Sequence, residues 1–216
     1  VPDLDSLSLI KDQNDAFRVP IDKLERILAE KFPDEAGSSL AKALSLALEK
    51  GRISYEEIES IGCSLEDLLL AFKERLLIPT RTSQASRTLA WEDRILAPKK
   101  GETYEMPNVI RYLLSHVEKT GKWDPAQAVK KYFEKMGDPE ADKMIKLFLE
   151  LKKRLISSRN NKIKPEDLKE ISSKLELNLD IGSTIAKLKG AGIISPCLRG
   201  FMKYGIRYEV NPSLLK

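Results

Sequence analysis

Apolar positions along this chain follow two periods, and the alternation between them sets the expected elements. Leu24, Ile27 and Leu28 lie on one face of a helix over 21–33, which Pro33-Asp34 and Gly37 break. A second helix, capped by Ser38 or Ser39, carries Leu40, Leu44 and Leu46-Ala47-Leu48 as a wide apolar stripe and stops at Gly51. Ser54 with Glu57 and Ser64 with Asp67 have the spacing of capping boxes, so short helices are expected over 55–61 and 65–75. The period then falls to two. Leu76-Leu77-Ile78-Pro79 and Thr103–Met106 read as strands, and Arg94-Ile95-Leu96-Ala97 as a further one within the Ser-, Thr-, Arg- and Lys-rich stretch 80–101.

The second half repeats the plan. Helices are expected over 108–119, 125–136 and 139–157, the middle one with Asp124 as cap and Pro125 in its first turn. Ile163-Lys164-Pro165-Glu166-Asp167-Leu168 matches Ile53-Ser54-Tyr55-Glu56-Glu57-Ile58 in character, position by position. Asp180 caps a helix over 181–190, and Gly192-Ile193-Ile194-Ser195 leads into a strand. Cys197–Tyr204 and Ile206–Val210 complete the pattern. An aromatic–charged–aliphatic phrase closed by proline occurs three times, at 16–20, 103–107 and 207–212, which points to a repeated module. Residues 1–20 read either as a hairpin left over from a preceding copy or as an unstructured terminus.

Each half therefore runs helix, helix, helix, hairpin. That order resembles the winged helix, a helix-turn-helix with a β wing, over about 53–107 and 143–212. The residues carrying the resemblance are Ser54–Ile58, Leu68–Ile78 and the run Lys187-Leu188-Lys189-Gly190-Ala191-Gly192-Ile193-Ile194, a common winged-helix transition from last helix to first wing strand. The insertion 80–101 is longer than a usual wing. The resemblance implies a mainly α protein with small β-hairpin wings. Its tandem modules would occupy 21–107 and 143–216, joined by a helical connector 108–142 and preceded by the hairpin-like segment 1–20.

Composition narrows the function classes. Two cysteines far apart, Cys63 and Cys197, make neither a disulfide framework nor a zinc site, and a reducing cytoplasmic setting is the default. There is no run of about 18 apolar residues to cross a membrane, and no signal-peptide pattern after Val1-Pro2-Asp3. The wealth of Lys and Glu with few Gln is thermophile-like. The net charge of +4 is unevenly spread: from Arg159 onward there are eleven Lys and Arg against six Asp and Glu. A basic segment of this kind is the electrostatic footprint of a nucleic-acid partner.

No phosphate loop, Gly-x-Ser-x-Gly or metal-ligand spacing occurs, so neither an enzyme nor a cofactor is expected. His116, the single histidine, sits in a Leu-rich helix and reads as an ordinary helix residue. The acid pairs Glu56-Glu57, Glu66-Asp67 and Glu166-Asp167 fall in first helical turns, where negative charge complements the helix dipole. With Ile181, Ile185 and Leu188 inward, the last helix of the second module would present Ser183, Thr184, Ala186, Lys187 and Lys189 outward. The winged-helix resemblance then implies a DNA contact through Ser183, Thr184, Lys187 and Lys189 in a major groove, with Arg199, Lys203 and Arg207 of the wing on phosphates or in a minor groove. Arg81 and Arg87, among hydroxyl residues, are further phosphate candidates. The corresponding helix of the first module carries Glu66, Asp67 and Glu74 beside an added Leu70, which suits a protein partner or self-association. The expected function is a non-catalytic, transcription-regulator-like DNA binder; the alternative is an interaction scaffold without nucleic acid.

Overall fold

The computed structural model describes residues 21–33, 36–82, 90–197 and 201–216. The segment 1–20 and the candidate residues Arg87 and Arg199 lie outside them. The described chain is mainly helical with two small antiparallel sheets. In order, it runs through α1 (21–31), α2 (Ser38–Lys50), β1 (Arg52–Ser54), α3 (Tyr55–Ser60), α4 (Leu65–Lys73), β2 (Ile78–Pro79) and β3 (Thr103–Glu105). Then follow α5 (Asn108–Thr120), α6 (Pro125–Lys135), α7 (Ala141–Ser158), β4 (Lys162–Ile163), α8 (Pro165–Lys174), α9 (Ile181–Ala191), β5 (Ile194–Cys197), α10 (Phe201–Tyr204) and β6 (Arg207–Val210).

The same succession of elements therefore occurs twice, helix, strand, helix, helix, strand, strand, with the short α10 inserted before the last strand of the second. In each sheet the last strand lies in the middle, giving the orders β1-β3-β2 and β4-β6-β5. Registers also correspond, with Ile53 opposite Tyr104 in the first sheet and Ile163 opposite Tyr208 in the second. Tyr104 is buried and its hydroxyl donates to the Ala97 carbonyl at 2.7 Å, which ties the long loop before β3 back onto the sheet.

Local chemistry explains the helix boundaries. Ser54 Oγ accepts from the Glu57 N–H at 3.2 Å while Glu57 Oε2 accepts from the Ser54 N–H at 2.8 Å, a complete capping box. A hydrogen bond from Lys50, then one from the Ser54 backbone, holds the Glu57 carboxyl below the usual carboxylate range. The start of α2 corrects the sequence expectation. Neither serine caps it; Asp67 of α4 does, accepting from the Gly37 N–H at 2.9 Å and from Ser39 Oγ at 2.6 Å. Asp67 also accepts from its own N-cap backbone, so one buried carboxylate joins two helix starts. The expected strand 94–97 is reduced to an isolated bridge between Thr82 and Arg94, beside a 3-10 turn at Trp91–Asp93.

One hydrophobic cluster runs through the described chain from Leu24 to Leu214. Val109, Ile110, Leu113, Leu114 and Val117 bury the inner stripe of α5. Helix α5 packs on α6, and α6 on α7. Trp123, in the α5–α6 loop, meets Phe32, just after α1, edge-on and donates its indole N–H to the Ser213 carbonyl at 3.1 Å. The first and last described segments are thus clamped to the same side chain.

Candidate nucleic-acid interface

The second three-stranded unit positions the residues singled out in the sequence. Asp180 accepts from the Ser183 N–H at 2.7 Å and starts α9, leaving Gly182 and Ser183 exposed at its first turn. Leu188 and Ala191 fix the helix to the core, with Ile181 and Ile185 packed partly against it. Gly192 ends α9 at φ +74°, and a Cβ there would lie 2.7 Å from the Pro107 Cβ. The site therefore needs glycine twice over, for its left-handed backbone and for the close approach of the α5 start. β5 and β6 then pair from Ile194–Val210 to Cys197–Arg207.

Two residues expected on the outer face of α9 are not free to read a groove. Thr184 is only 2% exposed, and its hydroxyl donates to the Asp180 carbonyl at 2.7 Å. It stands three residues after Ile181 and four before Leu188, on the buried stripe, and that spacing is the signal that could have found it. Lys187 is held by two acids of the α6–α7 turn, 3.0 Å from Asp138 Oδ1 and 2.8 Å from Glu140 Oε2. The hydrogen bond to Glu140, then that to Asp138, raises the Lys187 ammonium above the usual lysine range. The same contact lowers Glu140, with Lys143 assisting.

The remaining cations differ. Ser183 and Lys189 are exposed along α9. In the hairpin between β5 and β6, the Arg207 guanidinium lies 4.3 Å from the Tyr204 ring centroid and the Lys203 ammonium 5.1 Å from it. Both cations thus pack on one aromatic ring, a contact that orients charge without neutralising it. Tyr204 and Ile206 are about half exposed beside them. Among the described residues, Lys189, Lys203 and Arg207 join no salt bridge, whereas Arg81 pairs with Glu102 at 2.7 Å.

The two units meet along a polar seam that the sequence did not announce. Arg75, at the end of α4, meets Glu209 of β6 through Nε and Nη2 at 3.2 Å each, with both side chains largely buried. Its guanidinium also lies 4.6 Å from the Phe72 ring centroid. Asn211 Nδ2 donates to the Arg75 carbonyl at 3.1 Å, Ser213 Oγ to the Glu74 carbonyl at 2.6 Å, and the Trp91 N–H to Ser195 Oγ at 2.9 Å. Partners more than 100 residues apart leave no local pattern to read. Burial, with Asp67 nearby, pushes the Cys63 thiol up to about 12, which keeps it protonated at neutral pH.

A protein-family model, that of an uncharacterised family, matches residues 22–216. Neither the curated proteins nor the solved structures contain a match to the chain. Among the described residues, no helix is long and apolar enough to cross a membrane.

Proposed function

The chain belongs to the uncharacterised family whose model spans residues 22–216, and from that premise we propose a duplex-DNA-binding protein built on tandem winged-helix modules. The twofold helix–strand–helix–helix–strand–strand order with the last strand central supports the winged-helix reading. The contact surface is the exposed start of α9 with Ser183, the exposed Lys189, and the hairpin cations Lys203 and Arg207. The observation that carries this reading is that hairpin. It puts two cations, bound to an aromatic face and to no acid among the described residues, on the part of the second module that would lie along a phosphate backbone. Lys187 and Thr184 have no place in the contact, because one is held by Asp138 and Glu140 and the other is buried.

The test is a binding titration with mixed-sequence duplex DNA at several salt concentrations. The reading expects affinity that falls steeply with salt, and weaker binding by the Lys189→Ala/Lys203→Ala/Arg207→Ala variant. No binding near 50 mM salt with protein at about 100 μM, the weak edge of non-specific affinity, would overturn it.

A second reading, a protein-interaction scaffold, draws on α4 instead. Leu65 and Leu69 are each 48% exposed, and stand one turn apart beside the exposed Glu66. An apolar, acidic face suits a protein partner or a second copy of the chain. Sedimentation velocity of the wild type and of Leu65→Ser/Leu69→Ser decides whether this face drives self-association; identical monomeric profiles would remove that option.

A further inference from the structure

We propose that the cleft between the two three-stranded units is a binding site for a small organic anion, an aromatic or similarly flat apolar carboxylate. The cleft encloses about 510 Å³, within the size range of ligand pockets. Its walls come from both units: Trp91, Met106 and Pro107 from the first unit and the link into α5, Ile194 and Pro196 from β5. These supply an apolar body site. Charge comes from Arg94 on one side and Lys189 on the other.

Arg94 is the decisive residue. Its side chain is only 8% exposed, and its Nε is buried with no acceptor among the described residues. Its Nη1 donates to the Thr80 carbonyl at 2.8 Å, and its Nη2 reaches the Glu105 carboxylate only at a long 3.5 Å. A buried guanidinium with an orphan donor and one loose ion pair is under-satisfied. Glu105 is itself half exposed and can swing into water. A ligand carboxylate taking its place would present two acceptor oxygens to the Nε–Nη2 edge, the fork that guanidinium groups match best. Lys189 adds a second positive charge at the wall, and Trp91, Met106, Pro107, Ile194 and Pro196 offer apolar surface to the remainder of the ligand. With Arg94 and Lys189 against Glu105, the charged lining is net positive.

The site shares Lys189 with the DNA reading and is otherwise separate, because Arg94 lies on the first unit and none of Ser183, Lys203 or Arg207 lines the cleft. The experiment is an NMR titration of the 15N-labelled full chain with benzoate and, separately, with its uncharged analogue benzamide. Benzoate at about 10 mM, a concentration suited to a fragment of this size, is expected to shift the Trp91 indole signal and the amides of Ala186, Gly190 and Gly192. Benzamide should bind about tenfold more weakly, since it lacks the charge-assisted pair. Glu105→Gln removes the internal competitor and should tighten benzoate binding about threefold. Lys189→Gln changes an exposed side chain without touching the core and should weaken binding by a similar factor. Absence of shifts at the cleft, equal binding of benzamide, or looser binding by Glu105→Gln would each overturn the proposal.

Discussion

The two three-stranded units share element order, sheet order and register, yet their exposed chemistry is opposed. In the first, α4 turns Leu65, Glu66 and Leu69 outward, and the loop between β2 and β3 folds back to place Trp91 against Ser195 of the second unit. In the second, the corresponding hairpin carries Lys203 and Arg207 around the half-exposed Tyr204. One scaffold thus serves two purposes. The first unit spends its hairpin on the seam, and the second leaves its own facing solvent. Topology alone does not predict which surface meets a ligand; the charge and apolar pattern laid over it does.

The largest effect should come from the tightest point of the seam. Gly192→Ala forces a side chain into a left-handed backbone and against Pro107, and should cost about 3 kcal/mol in urea unfolding. A loss under about 0.5 kcal/mol would mean that α9 does not approach α5 as described. Next, Glu209→Gln leaves Arg75 largely buried without its carboxylate and should cost about 2 kcal/mol. A double-mutant cycle with Arg75→Ala should return a coupling of about 1 kcal/mol or more. Additive losses would show that the Arg75–Glu209 pair does not couple the two units.

The smallest effect belongs to Lys187→Ala. Glu140 is partly exposed, and the largely buried Asp138 carboxylate keeps a hydrogen bond from the Glu140 N–H, so the loss should stay at about 1 kcal/mol, with DNA affinity unchanged. The pH dependence has a defined sign. Glu140 is lowered from its ordinary 4.5, so its contribution is present above that value and is lost as acid titrates it at lower pH. Lys187 is raised from 10.5, so its contribution is present below that value and is lost as pH rises through the raised pKa. Across the neutral range the pair is constant. A DNA affinity that falls in Lys187→Ala at pH 7 would return this lysine to the contact surface.

What could be read from the sequence was what the backbone decides locally. Ser54 with Glu57, Ser64 with Asp67, Asp124 with Pro125, and Asp180 all cap helices where their spacing places them, because a cap needs only three or four residues to act. The apolar stripe of α5 and the strand at Thr103–Glu105 were legible for the same reason. Contacts set by tertiary packing were not. Asp67 reaches back 28 residues to Ser39, and Lys187 reaches back 49 to Asp138. Arg94, expected in a strand, is instead a cleft residue, since its surroundings come from both units. Thr184 lies between these cases: its register was visible, but its hydroxyl suggested an outward role that a hydrogen bond to Asp180 removes.

The measurement that tests the central asymmetry most directly is the salt dependence of DNA binding for two matched charge removals. Lys203→Ala/Arg207→Ala strips the hairpin of the second unit, and Lys99→Ala/Lys100→Ala strips the exposed lysines before β3 in the first. The account predicts that the first pair lowers the slope of log K against log salt by about 2, roughly one per phosphate contact, while the second leaves it unchanged. Equal changes in both variants, or a loss confined to Lys99→Ala/Lys100→Ala, would contradict it.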